Sequence, residues 1–241
     1  MGEPRVGGAF PLQTERRRSR TYPAWGCQTS PVLKTGWATG PGRSAPKPTR
    51  GGRHKIGLAL HGVIFTSFRD YLTEAHGVDR TRELFANEPI YLLSEAYPDE
   101  RLLDLIARTA AATGRTVDEV VYDFGVFTGE ITFTRLYPAF FSAAPSAREF
   151  LLNVEERIHE LVRATIPHAV PPQLKVAELG SDGVTIDYSS PRQLCVLLRG
   201  LADGTARHYG ETAAIEEASC MREGAASCRF EIRLSPSLRG A

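Results

Sequence analysis

Residues 171–198 read PPQLKVAELGSDGVTIDYSSPRQLCVLL. Before the two prolines, apolar residues recur every three or four positions. After them the period drops to two. Leu174-Lys-Val-Ala-Glu-Leu179 and Val184-Thr-Ile-Asp-Tyr188 flank Gly-Ser-Asp-Gly, which predicts a β-hairpin. Pro167, Pro171 and Pro172 stop whatever helix comes before. Ser190-Pro191-Arg192-Gln193 has the form of a capping box with Pro at N1. The helix it predicts carries Leu194, Leu197, Leu198 and Leu201 and ends near Gly210. Two more strands, Thr212–Ala218 and Cys228–Leu234, flank a loop at 221–227. Four antiparallel strands with one long inserted helix, behind a helical first part, make an α+β fold rather than a parallel α/β one.

Upstream, Ile64, Phe68 and Leu72 stand four apart, which predicts a helix over 61–76 closed by Gly77. Pro98-Asp99 opens a second, with Leu102, Leu103, Leu105 and Ile106 as its apolar side and Gly114 as its stop. Thr116-Val-Asp-Glu119 is a capping box ahead of Val120, Val121, Phe124 and Phe127. Residues 130–142 are aromatic-rich and interrupted by Pro138. Ser146-Ala-Arg-Glu149 is another capping box. It opens the longest predicted helix, through Phe150, Leu151, Val154, Ile158, Leu161 and Val162 to about Thr165. There is no internal repeat.

The 241 residues carry a formal net charge of +1, which hides a division. Residues 1–59 hold 11 Lys and Arg against 2 Asp and Glu; residues 60–241 hold 18 against 26. The first segment also has 10 of the 22 Gly and 7 of the 16 Pro, and such sequence cannot bury a core. Residues 1–59 are therefore expected to be a disordered basic tail and a mis-called N-terminal extension, with the folded domain starting at residue 60. Arg16-Arg17-Arg18-Ser19-Arg20 could also serve as a nuclear or nucleic-acid patch, or the segment as a transit peptide. No apolar region follows the arginines, as a twin-arginine export signal would need. The acidic domain disfavours nucleic acid. No run approaches ~18 apolar residues, so no membrane span is expected. The cysteines are taken as reduced thiols, which suits a cytoplasmic location.

Gly-rich phosphate loops, G-x-S-x-G and H-E-x-x-H are absent, so no enzyme is expected. Three groups of residues could carry chemistry. His159 stands mid-helix with Leu152, Glu155, Val162 and Ile166 on its side. It is either a packed histidine or an axial ligand to a metal or haem. The neighbouring Glu155-Glu156 pair reads as a solvated face. Tyr188, Ser190 and Arg192 stand where a strand meets a helix. There a hydroxyl pair, a guanidinium and free N–H groups could bind a carboxylate or phosphate. Cys195, Cys220 and Cys228 are either buried small residues or three zinc ligands, with Glu217 or His208 as the fourth.

From residue 60 to about 234, these features in this order resemble the H-NOX family, the haem nitric oxide/oxygen-binding domain, in its stand-alone bacterial form. The resemblance rests on Leu60-His-Gly-Val-Ile-Phe, on Phe150-Leu-Leu-Asn-Val-Glu-Glu-Arg-Ile-His159, on Pro171-Pro172, and on Tyr188-x-Ser190-x-Arg192 followed by Gln-Leu-Cys195. It implies haem b between the two parts of the fold. His159 would be the proximal iron ligand, and Tyr188, Ser190 and Arg192 the clamp on the propionates. Ile64 and Pro172 would press on the porphyrin; Phe68, Thr128 and Leu197 would line the distal pocket. Oxygen-binding members have Tyr where Leu197 stands, so the resemblance implies a nitric oxide sensor that excludes O2. Thr128 is the one side chain of that set able to donate a hydrogen bond. The signal would arise from rupture of the His159–iron bond on NO binding. Only Ser235–Ala241 follow the last strand, so the output is expected to reach a separate protein, such as a histidine kinase or a cyclic-di-GMP enzyme. Some members hold structural zinc near that surface, on positions matching Cys195, Cys220 and Cys228, with Glu217 replacing the usual His. A zinc/thiol redox sensor on the same scaffold is the alternative; a haem-free small-molecule binding module is a third.

Overall fold

The computed structural model describes residues 59–165 and 170–237. The basic segment before residue 59, and Ile166 and Pro167, lie outside the described residues. A short strand β1 (Ala59–His61) leads into helix α1 (Gly62–His76), followed by α2 (Val78–Leu84). Strand β2 (Ala96–Pro98) pairs antiparallel with β1. Sequence periodicity shows neither strand, because three residues are too few to alternate and their partner lies more than thirty positions away. Gly62 is required where β1 meets α1: a Cβ there would stand 1.9 Å from the Leu92 carbonyl oxygen.

Helix α3 (Asp99–Thr113) ends on Gly114 in the left-handed region (φ 67°), as its stop signal predicts. Leu102, Leu105 and Ile106 are buried, but Leu103 is 49% exposed. Leu103 is one position from Leu102, about 100° around the helix, and falls off the buried stripe. Helix α4 (Val117–Phe127) has the predicted capping box complete. Thr116 Oγ1 accepts from the Glu119 N–H, and the Glu119 carboxylate accepts from the Thr116 N–H. A π-helical turn at Thr128–Thr132 passes into α5 (Phe133–Leu136), and Pro138 then starts α6 (Pro138–Ser142) as its N1 residue.

The long helix is present as a continuous helical run with one defect. It consists of α7 (Ala147–Val154), a π-helical turn over Glu155–His159, and α8 (Glu160–Thr165). Ser146 caps it by accepting from the Glu149 N–H, but Glu149 does not complete the box. Its carboxylate pairs with Arg148 instead.

The sheet follows: β3 (Gln173–Leu179), β4 (Gly183–Ser189), β5 (Glu211–Ser219) and β6 (Cys228–Pro236), in the order β3-β4-β6-β5, all antiparallel. Helix α9 (Cys195–His208) connects β4 to β5. The α+β reading holds. One core joins the sheet to α7 and α9 through Phe150, Leu151, Ile186, Tyr188, Ala202, Ala206, Phe230 and Ile232. The other is aromatic, with Phe65, Phe68, Tyr71, Leu72, Leu105 and Phe124 packing the first helices together. Val196 of α9 packs against both.

Helices α4 and α9 cross with backbones in contact. A Cβ at Gly200 would lie 2.2 Å from the Tyr122 carbonyl oxygen, and one at Gly204 would lie 2.2 Å from that of Val126. Gly125 and Gly129 supply the matching small residues on the other side of the crossing. No described helix is long and apolar enough to cross a membrane.

Candidate haem and metal sites

His159 ends the π-helical turn, with its side chain 17% exposed. Its Nδ1 is 2.7 Å from Glu155 Oε2. That oxygen also accepts the Leu174 N–H at 3.3 Å, while Oε1 accepts from Arg163 Nη2 at 2.6 Å. Glu155 therefore anchors the histidine ring to the first residues of β3. The expectation that it belongs to a solvated face is corrected. Four residues before His159 on a helix, it lies within reach of the imidazole. Burial pushes the Glu155 carboxyl up, but the hydrogen bonds from His159 and Arg163 outweigh it, and the net shift is downward. Burial also holds the His159 pKa below its ordinary value, with Glu155 opposing in part. The imidazole is thus neutral near pH 7, as a metal ligand must be. Nε2 has no hydrogen-bond partner among the described residues. Beside the same turn, a gap of about 80 Å³ is lined by Phe140, Phe150, Val154 and Ile158.

Tyr188, Ser190 and Arg192 come together, but not as a helix cap. Residues 190–194 form a turn with Gln193 at φ 50°, and α9 starts only at Cys195. Ser190 Oγ accepts from the Arg192 N–H at 3.2 Å, and the Tyr188 hydroxyl accepts from the Leu194 N–H at 3.1 Å. The predicted capping box over 190–193 is therefore corrected. Both hydroxyls serve the turn's own backbone, so its N–H groups are already engaged. Arg192 reaches across to the other part of the domain. Its Nε is 2.6 Å from Asp99 Oδ2, and its Nη1 donates to the Val170 carbonyl at 2.5 Å. With side-chain exposures of 7% and 10%, this ion pair is largely desolvated. Burial raises the Asp99 carboxyl, and Arg192 opposes that rise. The Val170 contact pins the segment that leads through Pro171 and Pro172 into β3. A cleft of about 220 Å³ opens here between Leu60, Leu103, Pro191 and Leu194.

The predicted pocket residues lie in or against the aromatic core. Phe68 is fully buried, edge-on to Phe124 at 5.0 Å. Ile64 and Leu197 pack on the same cluster. Thr128 is 2% exposed, and its Oγ1 is buried without a hydrogen-bond partner. A buried orphan hydroxyl has a cost that a bound ligand can relieve. The donor set fits a haem: a neutral imidazole with one nitrogen anchored and the other without a partner among the described residues, a buried guanidinium at the strand–helix turn, buried apolar side chains, and a buried Thr128 hydroxyl with no partner among the described residues.

A second cluster forms where β5, β6 and α9 meet. One ligand atom from each of Cys195, Glu217, Cys220 and Cys228 lies within 4.8 Å of all the others. Cys220 Sγ is 3.9 Å from Cys195 Sγ and 4.0 Å from Cys228 Sγ. A β-bulge between Glu217 and Ser219 shifts the strand register beside Glu217. Glu217 Oε1 is buried without a partner. The Met221 N–H donates to Cys228 Sγ at 3.1 Å, as in a metal knuckle. Burial pushes the thiols up, Cys195 to about 11 and Cys220 to about 12. Between the two expected fourth ligands, the structure brings in Glu217. His208 instead stacks edge-on against Phe141 and Tyr209.

Comparison with known proteins bears on the fold and the family. Residues 61–217 match the family model described as haem-NO-binding. An H-NOX protein from S. oneidensis in its Fe(II)NO ligation state shares the fold, with a TM-score of 0.68 at 23% identity over 73% of this chain and 99% of that one. The Fe(II) unliganded H-NOX protein from K. algicida gives 0.64 at 22% identity over 76% and 100%. Soluble guanylate cyclase 89Da of Drosophila melanogaster is 25% identical over 146 residues, 55% of this chain. The chain spans only 20% of the length of that relative. The chain belongs to the haem-NO-binding (H-NOX) family, whose domains are haem-binding gas sensors rather than catalysts.

Proposed function

We propose that this chain is a nitric oxide sensor whose haem b iron is held by His159. The observation that carries the reading is the histidine itself, mostly buried and anchored through Nδ1, with Nε2 free of a partner among the described residues. When bound, the haem would supply an iron centre that takes a diatomic gas. The chain's residues do the rest. Arg192, with Tyr188 and Ser190 fixing its turn, would hold the propionates and share its guanidinium between them and Asp99. Ile64 and Pro172 would press on the porphyrin. Phe68 and Leu197 keep the gas side apolar. His159 sits at a π-helical turn, a helix defect that can relax to regular winding. Loss of the iron's hold on His159 would shift the helical run 147–165 against β3, a population shift between two packings.

We take the sensor domain to span residues 60–241. The output would pass to a separate cytoplasmic signalling protein, a histidine kinase or a cyclic-di-GMP enzyme being the two classes that the family resemblance suggests. Its acidic domain favours a basic patch on that partner.

Polarised bound O2 needs a hydrogen-bond donor, whereas NO needs little such help. Of the predicted pocket residues Phe68, Thr128 and Leu197, only Thr128 carries a hydroxyl. The reduced protein is expected to take up NO and form no stable complex in air, read by absorption spectroscopy. A stable O2 complex abolished by Thr128→Val would reverse the selectivity and make Thr128 the donor.

Cys195, Glu217, Cys220 and Cys228 are proposed to hold one zinc ion, a structural site of four protein ligands. Metal analysis should find about one zinc per chain. Cys220→Ser should release it while NO binding survives. Zinc-free protein that loses two titratable thiols under mild oxidant, and loses NO binding with Cys220→Ser, would favour the thiol redox sensor instead.

A further inference from the structure

The bond between His159 and Glu155 does more than orient a ring. The acceptor is a full carboxylate, not a backbone carbonyl. It is held by three groups on two elements: His159 Nδ1 at 2.7 Å, Arg163 Nη2 at 2.6 Å and the Leu174 N–H at 3.3 Å. A carboxylate on the far nitrogen of a ligating imidazole makes the ligand nitrogen more basic. We propose that Glu155 is a positioning residue that sets the strength of the His159–iron bond, and that Arg163 tunes it from the other oxygen. The inference rests on His159 being the iron ligand.

The two partners act in opposite directions. Glu155 Oε2 draws the Nδ1 proton toward itself and leaves more electron density at Nε2. Arg163 withdraws density from the same carboxylate through Oε1 and limits that donation. A stronger histidine bond makes NO-driven release of His159 harder, so this pair sets how readily the sensor fires. The Leu174 N–H ties the carboxylate to the first residues of β3, and Leu174 pairs in register with Tyr188. The atom that tunes the bond is therefore anchored on the sheet that carries the propionate clamp.

The test uses the full chain loaded with haem. Resonance Raman gives the iron–histidine stretch of the reduced protein, redox titration gives the midpoint potential, and absorption gives the ratio of five- to six-coordinate NO complex. Glu155→Gln should lower the stretch, raise the potential and shift the NO complex toward five-coordinate. Haem affinity should fall roughly 10-fold. Glu155→Asp should recover part of the stretch, because a shorter carboxylate can still accept the bond. Arg163→Gln should move stretch and potential the opposite way. If Glu155→Gln does not hold haem, the Arg163→Gln arm decides alone, since Arg163 touches only the carboxylate's outer oxygen. A histidyl stretch present in the parent chain but unmoved in these variants would overturn this inference and leave the sensor reading standing. Absence of any histidyl stretch in the parent chain would overturn the sensor reading itself.

Discussion

Replacing His159 with Gly is expected to remove the histidyl-ligated haem spectrum, with the haem either lost or retained only when free imidazole is supplied. The expectation follows from how the side chain is held. Glu155 fixes the ring by Nδ1 alone, and the ring buries most of its surface. Deleting the side chain leaves an imidazole-shaped space with its hydrogen-bond acceptor still in place, and added imidazole can occupy it. The fold should survive, because one Gly in a helical run costs about 1 kcal/mol. Circular dichroism would confirm that the helix content is kept, and absorption with and without imidazole would read the ligand. An unchanged spectrum would reject the assignment and send the search to His61 and His76. Each of those buries one ring nitrogen without a partner.

Gly200→Ala should be among the most damaging single-methyl changes in the described part of the chain. The new Cβ would meet the Tyr122 carbonyl oxygen at 2.2 Å, the Gly125 Cα at 2.9 Å and the Val126 nitrogen at 3.0 Å. All three atoms are backbone, so no side chain can swing aside. Helices α4 and α9 would have to separate by about an ångström to restore van der Waals contact. Overpacking of this kind costs about 3 kcal/mol, which lowers Tm by roughly 6–12 °C in a domain of this size. The consequence would reach the proposed haem pocket. Thr128 follows the last residue of α4, and Leu197 is one turn before Gly200 on α9. A Cβ at Gly125 would already stand 2.7 Å from the Leu197 carbonyl oxygen. Spreading this crossing should therefore speed NO dissociation as well as lower stability. Thermal melts and stopped-flow NO release check the two effects separately. A variant that melts like the parent would show that the crossing tolerates a wider spacing than the backbone contacts imply.

What could be read from the chain alone is local or periodic. The β3–β4 hairpin is plain because alternation and a Gly-flanked turn are contiguous. The Thr116 box and the Gly114 stop are equally short-range. His159, the Tyr188-x-Ser190-x-Arg192 group and the three cysteines stand out because their residue types are unusual in their contexts. Glu155 does not stand out. A glutamate beside another glutamate on a helix usually faces water, and only the packing of the helix against β3 turns it inward. The capping signal at Ser190 is misleading for a related reason. Arg192 gains a largely buried ion pair with Asp99, 93 residues away, and the chain takes a turn at Gln193 instead of starting the helix.

The sequence by itself determined the α+β order of elements, and it singled out His159, the Tyr188-x-Ser190-x-Arg192 group and the thiols as candidates, because spacing and residue chemistry are properties of neighbours along the chain. Tertiary structure decided which groups meet. It chose Glu217 over His208 for the thiol cluster, through a bulge and a strand pairing. It gave Arg192 to Asp99 and His159 to a carboxylate held from β3. It brought α4 and α9 close enough that only glycine fits between them. These are contacts between segments far apart in sequence, made when each surrenders water to reach the other.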